Sequence, residues 1–192
     1  MIRIDLPVGE RAIRELKVGD EVSLHGTVVT ARDAAHKLMI EQWPEFVRPL
    51  LEGGAIYHCG PVMRKTKKGW VAVAAGPTTS IREEPYEAAV MEHYGVRAVI
   101  GKGGMGAGTL AACEKVGAVY LHAVGGAAPL IADSIVSTRD VHLLEELGVP
   151  EAFWEFEVDG FKAVVTMDSR GRSLHDRVEA ESRKRRDDLL GL

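Results

Sequence analysis

Three short segments each set a cation beside hydroxyls or glycine-rich backbone: Ala31-Arg32-Asp33-Ala34-Ala35-His36, Gly76-Pro77-Thr78-Thr79-Ser80-Ile81-Arg82 and Gly101-Lys102-Gly103-Gly104-Met105-Gly106. Each follows an apolar, β-branched run and precedes an Ala-rich helical stretch, so each falls where a strand end meets a helix start. Junctions of that kind offer free backbone N–H groups and the positive end of a helix dipole to an anion. An arginine adds a planar fork suited to a carboxylate. Together the segments predict a pocket for a small dianion.

Each segment also has a plainer reading. Asp33 reads as a helix N-cap with His36 three residues on, and the hydroxyls of Thr78, Thr79 and Ser80 read as caps of a helix entry. Gly101 to Gly106 formally satisfies G-x-G-x-x-G between a strand and a helix, which would suit a dinucleotide. That fingerprint also wants an acidic residue about 20 positions on, to hold the ribose. The stretch Tyr120 to Gly126 contains none. His58 and His122, in apolar strands, read as core histidines, and Cys113 reads as a small core residue. Cys59, at a strand end beside Gly60-Pro61, is placed to line the pocket.

The elements that must carry these loops are legible from periodicity and turn chemistry. A β-rich opening runs through Ile2 to Leu6, a helical turn around Arg11 to Leu16, and a strand from Val22 to Val29. A helix from Asp33 to Gln42 and a strand Ala55 to His58 follow, and the basic stretch Arg64 to Lys68 turns the chain. From Trp70 the pattern becomes strand, glycine loop, helix three times: 71–75 then 85–94, 98–100 then 107–116, 119–124 then 127–137. Repeats of that kind imply parallel strands. Asp159-Gly160 between Phe153 to Val158 and Phe161 to Met167 predicts a β-hairpin.

The whole reads as one α/β domain over residues 1–192 with an extra β layer, ending in a charged helical tail at 174–192. With 24 Lys and Arg against 28 Asp and Glu, the net charge of -4 argues against nucleic acid. No apolar run approaches the roughly 20 residues that span a bilayer, so no membrane partner is expected and the chain is placed in the cytoplasm. Two cysteines and no Cys/His cluster predict no metal site within the chain.

In this order, the Ala-Arg-Asp-Ala-Ala-His, Gly-Pro-Thr-Thr-Ser and Gly-Lys-Gly-Gly-Met-Gly runs, joined by Ala123-Val124-Gly125-Gly126-Ala127-Ala128, resemble the iron–sulfur-dependent hydro-lyases. The likeness is to the β subunit, or C-terminal domain, of class I fumarate hydratase and L(+)-tartrate dehydratase. It implies a swivelling β/β/α domain, mostly parallel, and reversible hydration of fumarate to (S)-malate, with L(+)-tartrate or mesaconate as alternative substrates. It also implies a 4Fe-4S cluster carried by a partner α subunit, in an α2β2 assembly, and none bound by this chain. Residue by residue, it implies that Thr78 and Lys102 are catalytic. It further implies that Arg32, Arg82, Lys102, Thr79, Gly103 and Gly104 bind the dicarboxylate, and that Asp33 and His36 have secondary roles. Three cations free of a competing acid cluster would suit two carboxylates. Glu83-Glu84 after Arg82 departs from the Met-Asp pair more usual there. The readings of a different class are a non-catalytic anion-binding or assembly module and a nucleotide-binding oxidoreductase domain.

Overall fold

The runs Ala55-Ile56-Tyr57, Ala98-Val99-Ile100 and Val119-Tyr120-Leu121 are buried at every residue, so the strands that contain them are covered on both faces. In the computed structural model, which describes residues 1–191, successive residues of these strands sort into two cores. Ala55, Tyr57, Ile100 and Leu121 join Val22, Leu24, Trp154 and Phe156. Ile56, Val99 and Tyr120 join Met39, Val90, Met91, Ala112 and Cys113. A central sheet therefore has a second β layer on one side and helices on the other.

In chain order the elements are β1 (Ile2–Asp5), α1 (Glu10–Glu15), β2 (Glu21–Thr30), α2 (Asp33–Gln42), α3 (Arg48–Leu51), β3 (Ala55–Tyr57), β4 (Val62–Thr66) and β5 (Gly69–Ala74). There follow α4 (Glu84–Tyr94), β6 (Ala98–Gly101), α5 (Ala107–Val116), β7 (Val119–His122), α6 (Ala128–Ala132), β8 (Ile135–His142), α7 (Leu144–Leu147), β9 (Phe153–Met167) and α8 (Leu174–Leu190). The large sheet has the order β1-β2-β3-β6-β7-β9-β8. Its pairings are parallel from β1 to β7 and antiparallel at β9. Because β9 also pairs antiparallel with β2, strands β2, β3, β6, β7 and β9 close into a ring. No helix among the described residues is long and apolar enough to cross a membrane.

Four expectations are corrected. The stretch 153–167 is one strand and not a hairpin, since both halves pair with β2 across a register shift at Leu24/His25 that skips Gly160. Gly160, at φ +77°, absorbs the extra residue as a bulge, so a glycine that signals a turn is here a kink in a long strand. The strand Trp70 to Ala74 does not join the parallel sheet; β5 pairs with β4 in a separate hairpin, and the basic stretch supplies much of β4. Trp70 docks that hairpin edge-on against Trp154, with ring centroids 5.4 Å apart.

The helix expected over 127–137 stops at Ala132, where Ser134 Oγ bonds the Ile131 carbonyl and the β-branched run from Ile135 becomes β8. Asp33 is the first helical residue of α2, not its cap, and the Ala34 N–H is taken by Glu151 instead. The charged tail forms α8, which buries no side chain; its expected end, Leu192, lies outside the described residues.

Placing a β-branched side chain at Gly160 would force a strained left-handed residue into β9, with no steric clash to confuse the outcome. Gly160→Val is expected to lose about 1–3 kcal/mol in urea denaturation with an unchanged slope. A variant as stable as the parent would show that the bulge does not need glycine.

Candidate functional site

The loops converge because they leave neighbouring parallel strands at the same end. Arg32 follows β2, Cys59 follows β3, Lys102 follows β6 and the Ala123 to Gly126 turn follows β7. The carboxyl ends of parallel strands are where such sheets bind ligands. Thr78 donates its N–H to the His58 carbonyl at 2.6 Å and accepts from the Lys102 N–H at 3.3 Å, while Ser80 N–H reaches the Lys102 carbonyl at 3.0 Å. This short ladder, a bridge between Thr79 and Lys102, sets the hydroxyl loop beside the glycine loop. Gly103 and Gly104 both adopt φ +83°, and Gly104 lies against the His175 ring with no room for a Cβ. Thr79 and Gly103 are exposed, and Thr78 and Lys102 are half-buried.

The cations are not free of acids, contrary to the expectation from sequence. Arg82 grips Asp33 with two parallel bonds, Nε to Oδ1 at 3.0 Å and Nη2 to Oδ2. Arg32, folded over Gly60, lies 3.4 Å from Glu151 and 3.7 Å from Asp33. Lys102, by contrast, enters no ion pair among the described residues, which leaves its ammonium as the uncommitted charge of the site. The N-terminus of α5 is also occupied. Glu84 accepts from the N–H groups of Gly106, Gly108 and Thr109 at 2.7, 2.9 and 3.2 Å and from the Thr109 hydroxyl at 2.7 Å. A pyrophosphate has no vacant helix end there, which removes the dinucleotide reading of the glycine run.

Beneath the loops lies a polar centre that sequence reasoning missed. Glu87 Oε2 is 3.0 Å from His36 Nε2 and 2.9 Å from His58 Nε2, and all three side chains are fully buried. His36 Nδ1 is 3.0 Å from the Arg32 carbonyl, so it carries a proton there. His58 Nδ1 is 2.9 Å from Ser80 Oγ, which accepts from the Tyr120 hydroxyl at 2.9 Å. Burial pushes the Glu87 pKa up, but the charges and hydrogen bonds of His36 and His58 outweigh it and hold it at about 2. Burial also opposes the charge on His36, yet Glu87 raises its pKa above the ordinary imidazole value. For His58 burial wins and the pKa falls. The result is a buried imidazolium–carboxylate pair with a neutral second imidazole.

A signal for this centre existed: Glu83, Glu87, Val90, Met91 and Tyr94 are the buried residues of one helical stripe, and two of them are acids. Glu83 is buried with no hydrogen-bond partner on either oxygen, and burial, aided by nearby Asp33, raises its pKa to about 7.

The chain's cysteines do not fit an iron–sulfur cluster. Cys59 faces the core between the sheets and Cys113 the core under the helices, and burial lifts each thiol to about 12. Cys59 therefore packs inside rather than lining the site.

The chain thus carries a cationic, hydroxyl-bearing face at the carboxyl ends of the parallel strands of a mixed sheet packed with helices. A model of the family described as "Fumarase C-terminus" matches residues 1–178, and the chain belongs to that family. It is 52% identical over 184 residues to "Putative fumarate hydratase class I" of Geobacillus stearothermophilus, covering 95% of this chain and 35% of that protein, so it spans about a third of that relative's length. It is 41% identical to "Putative L(+)-tartrate dehydratase subunit beta" of Methanocaldococcus jannaschii, covering 95% of each chain. With "L(+)-tartrate dehydratase subunit beta" of Escherichia coli it shares 37% identity over 96% of this chain and 91% of the other.

Glu83 yields a pH test. Its pKa of about 7 exceeds the 4.5 of an ordinary glutamate, so between those values the folded chain holds a proton that the unfolded chain has lost. Stability from this group is full below the unfolded value and is lost as pH rises through 7. Glu83→Gln should exceed the parent by about 1–3 kcal/mol at pH 8.5, with the gap closing toward pH 5. Denaturant titration at the two pH values checks this, and a gap independent of pH would refute it.

Proposed function

We propose that this chain is the β subunit of an iron–sulfur hydro-lyase that interconverts fumarate and (S)-malate, active only with a cluster-bearing α subunit in an α2β2 assembly. The carrying observation is Lys102, whose backbone is bonded to Thr78 and Ser80 at the mouth of the parallel sheet and whose ammonium enters no ion pair among the described residues. The names of the relatives supply the reaction class, and the word "beta" in two of them supports a partner chain. The inward-facing cysteines support a cluster held elsewhere. The three layers support the swivelling β/β/α reading of the fold.

In this reading Lys102 and the guanidinium groups of Arg82 and Arg32 hold the two carboxylates, with Thr79 and the backbone of Gly103 and Gly104 completing the contacts. Asp33 holds Arg82 in place until the ligand arrives. In hydration the Thr78 hydroxyl gives its proton to one olefinic carbon as water adds through its oxygen to the other, and the proton that water releases returns to Thr78; dehydration runs the same transfers in reverse. Fixed cations lower the barrier by stabilising the negative charge that builds on the adjacent carboxylate during proton removal. L(+)-tartrate is the second substrate reading, favoured by the two relatives that match this chain nearly end to end.

Anaerobic recovery of the chain with its partner, followed by assay of fumarate and L(+)-tartrate, tests the proposal. Hydration of fumarate by an iron-containing complex is expected, and Lys102→Ala in that complex should lower kcat/KM by about a hundredfold or more. A partnerless chain without turnover on either substrate would refute the assignment; near-parental turnover of the variant would refute the role of Lys102.

A further inference from the structure

We propose that Glu87 is the positioning residue of this site, locking the Arg32 turn to the Thr78–Lys102 loop pair through His36 and His58. The inference rests on reading those loops as the substrate site.

The argument starts from proton accounting. The Arg32 carbonyl can only accept, so His36 Nδ1 donates to it, and His36 Nε2 faces a carboxylate oxygen that also can only accept. Both ring nitrogens of His36 are therefore protonated. His58 Nε2 faces the same oxygen and must donate too, and because burial keeps this second ring neutral its Nδ1 accepts from the Ser80 hydroxyl. Ser80 Oγ in turn accepts from Tyr120. Every proton in the chain has a direction: Tyr120, Ser80 and His58 lead to one oxygen of Glu87, and His36 donates both to that oxygen and to the Arg32 carbonyl. Three ligand-type atoms lie within 4.8 Å of one another here; this order gives each of them a partner without an ion and leaves Glu87 Oε1 as the one oxygen of that carboxylate without a donor.

Each member of the relay is fastened to a loop of the site. His36 holds the carbonyl of Arg32 itself. His58 carries the carbonyl that receives the Thr78 N–H, and its own N–H binds Ile100 at the end of β6. Ser80 donates its N–H to the Lys102 carbonyl. The packing leaves no slack, because a Cβ on Gly101 would overlap Ser80 Oγ and press on His58 Nδ1. Glu87 touches none of the arginines or Lys102, yet through His36 and His58 it joins both halves of the site from beneath, as the Asp33–Arg82 pair joins them above.

Glu87→Gln separates this role from mere bulk. With its oxygen in the place of Oε2 the amide accepts from both imidazoles, so hydrogen-bond number and volume persist while His36 loses the anion that holds its charge and the charge-assisted bonds become ordinary ones. In the full parental chain, nitrogen NMR at pH 7.5 should show His36 protonated on both nitrogens and His58 on Nε2 alone. In Glu87→Gln, amide hydrogen exchange should rise about tenfold or more at His36, Thr78, Ser80 and Lys102 and stay unchanged in the β9 core. In the complex with the partner subunit, kcat/KM for fumarate should fall about tenfold to a hundredfold, chiefly through KM. A neutral His36 in the parent, a stoichiometric metal retained by the chain, or exchange that is unaltered or raised uniformly overturns the inference. The exchange measurement does so whether or not the parental complex turns over fumarate, whereas an inactive parental complex counts against the hydro-lyase reading alone.

Discussion

The arrangement depends on one ionised carboxylate kept entirely out of water. Desolvating Glu87 costs several kcal/mol, and such a cost is offset only when geometry is good and partners are charged. Here the partners come from three places distant in sequence: α4 brings Glu87, the first turn of α2 brings His36, and the end of β3 brings His58. Removing any one leaves a buried polar group unsatisfied, so the three elements cannot shift independently. The loops that follow β2 and β3 inherit that rigidity, and the loop after β6 inherits it through Ser80.

Above this centre the charges divide into those a ligand can displace and those it cannot. Arg82 and Asp33 are bonded in a two-pronged pair but are 50% and 35% exposed, and exposed pairs contribute little net stability. A ligand carboxylate replacing Asp33 on that fork loses little. Glu84 differs, since its two oxygens take four donors at the start of α5 and the neighbouring glycines admit no Cβ on that side. The glycine run thus serves the chain's own carboxylate at its helix end, while its Lys102 and outward backbone remain for a ligand. In the proposed reading, two anion sites that look alike in sequence have opposite uses.

How much of this the sequence discloses follows from the range of the interactions. Helices α5 and α8 are legible to the residue because their stops are local: Gly117 and Gly191 take the left-handed cap at their ends. The loops are legible because strand end, turn and helix start are contiguous. What fails is whatever depends on partners far along the chain. Asp159-Gly160 encodes a turn locally, yet pairing of both flanks with β2 overrides it. The acids that compete for the arginines include Glu151, more than a hundred residues from Arg32, and no local pattern announces it. Glu87 could be suspected from the apolar stripe it interrupts, but its two histidines are fixed only by the ring of strands.

The same geometry argues that the face is half of something. Fixed charges act strongly on a reacting ligand only where water is excluded, because exposure returns the effective dielectric toward that of solvent. Thr79 and Gly103 lie open, and Arg82 is half in solvent. Beside them the turn after β7 brings Gly125 close to the Lys102 side chain and leaves Val124 bare, and α6 beyond it leaves Leu130 bare, at 64% and 72% exposure. Apolar side chains held in water next to an open cationic face are stable liabilities unless something covers them. A covering chain would bury both at once, stripping water from Lys102 and the hydroxyls as it buries the apolar rim, so that assembly and activation of the site become one event. In the proposed hydro-lyase that coupling would make docking of the partner the step that dries and activates the cationic face.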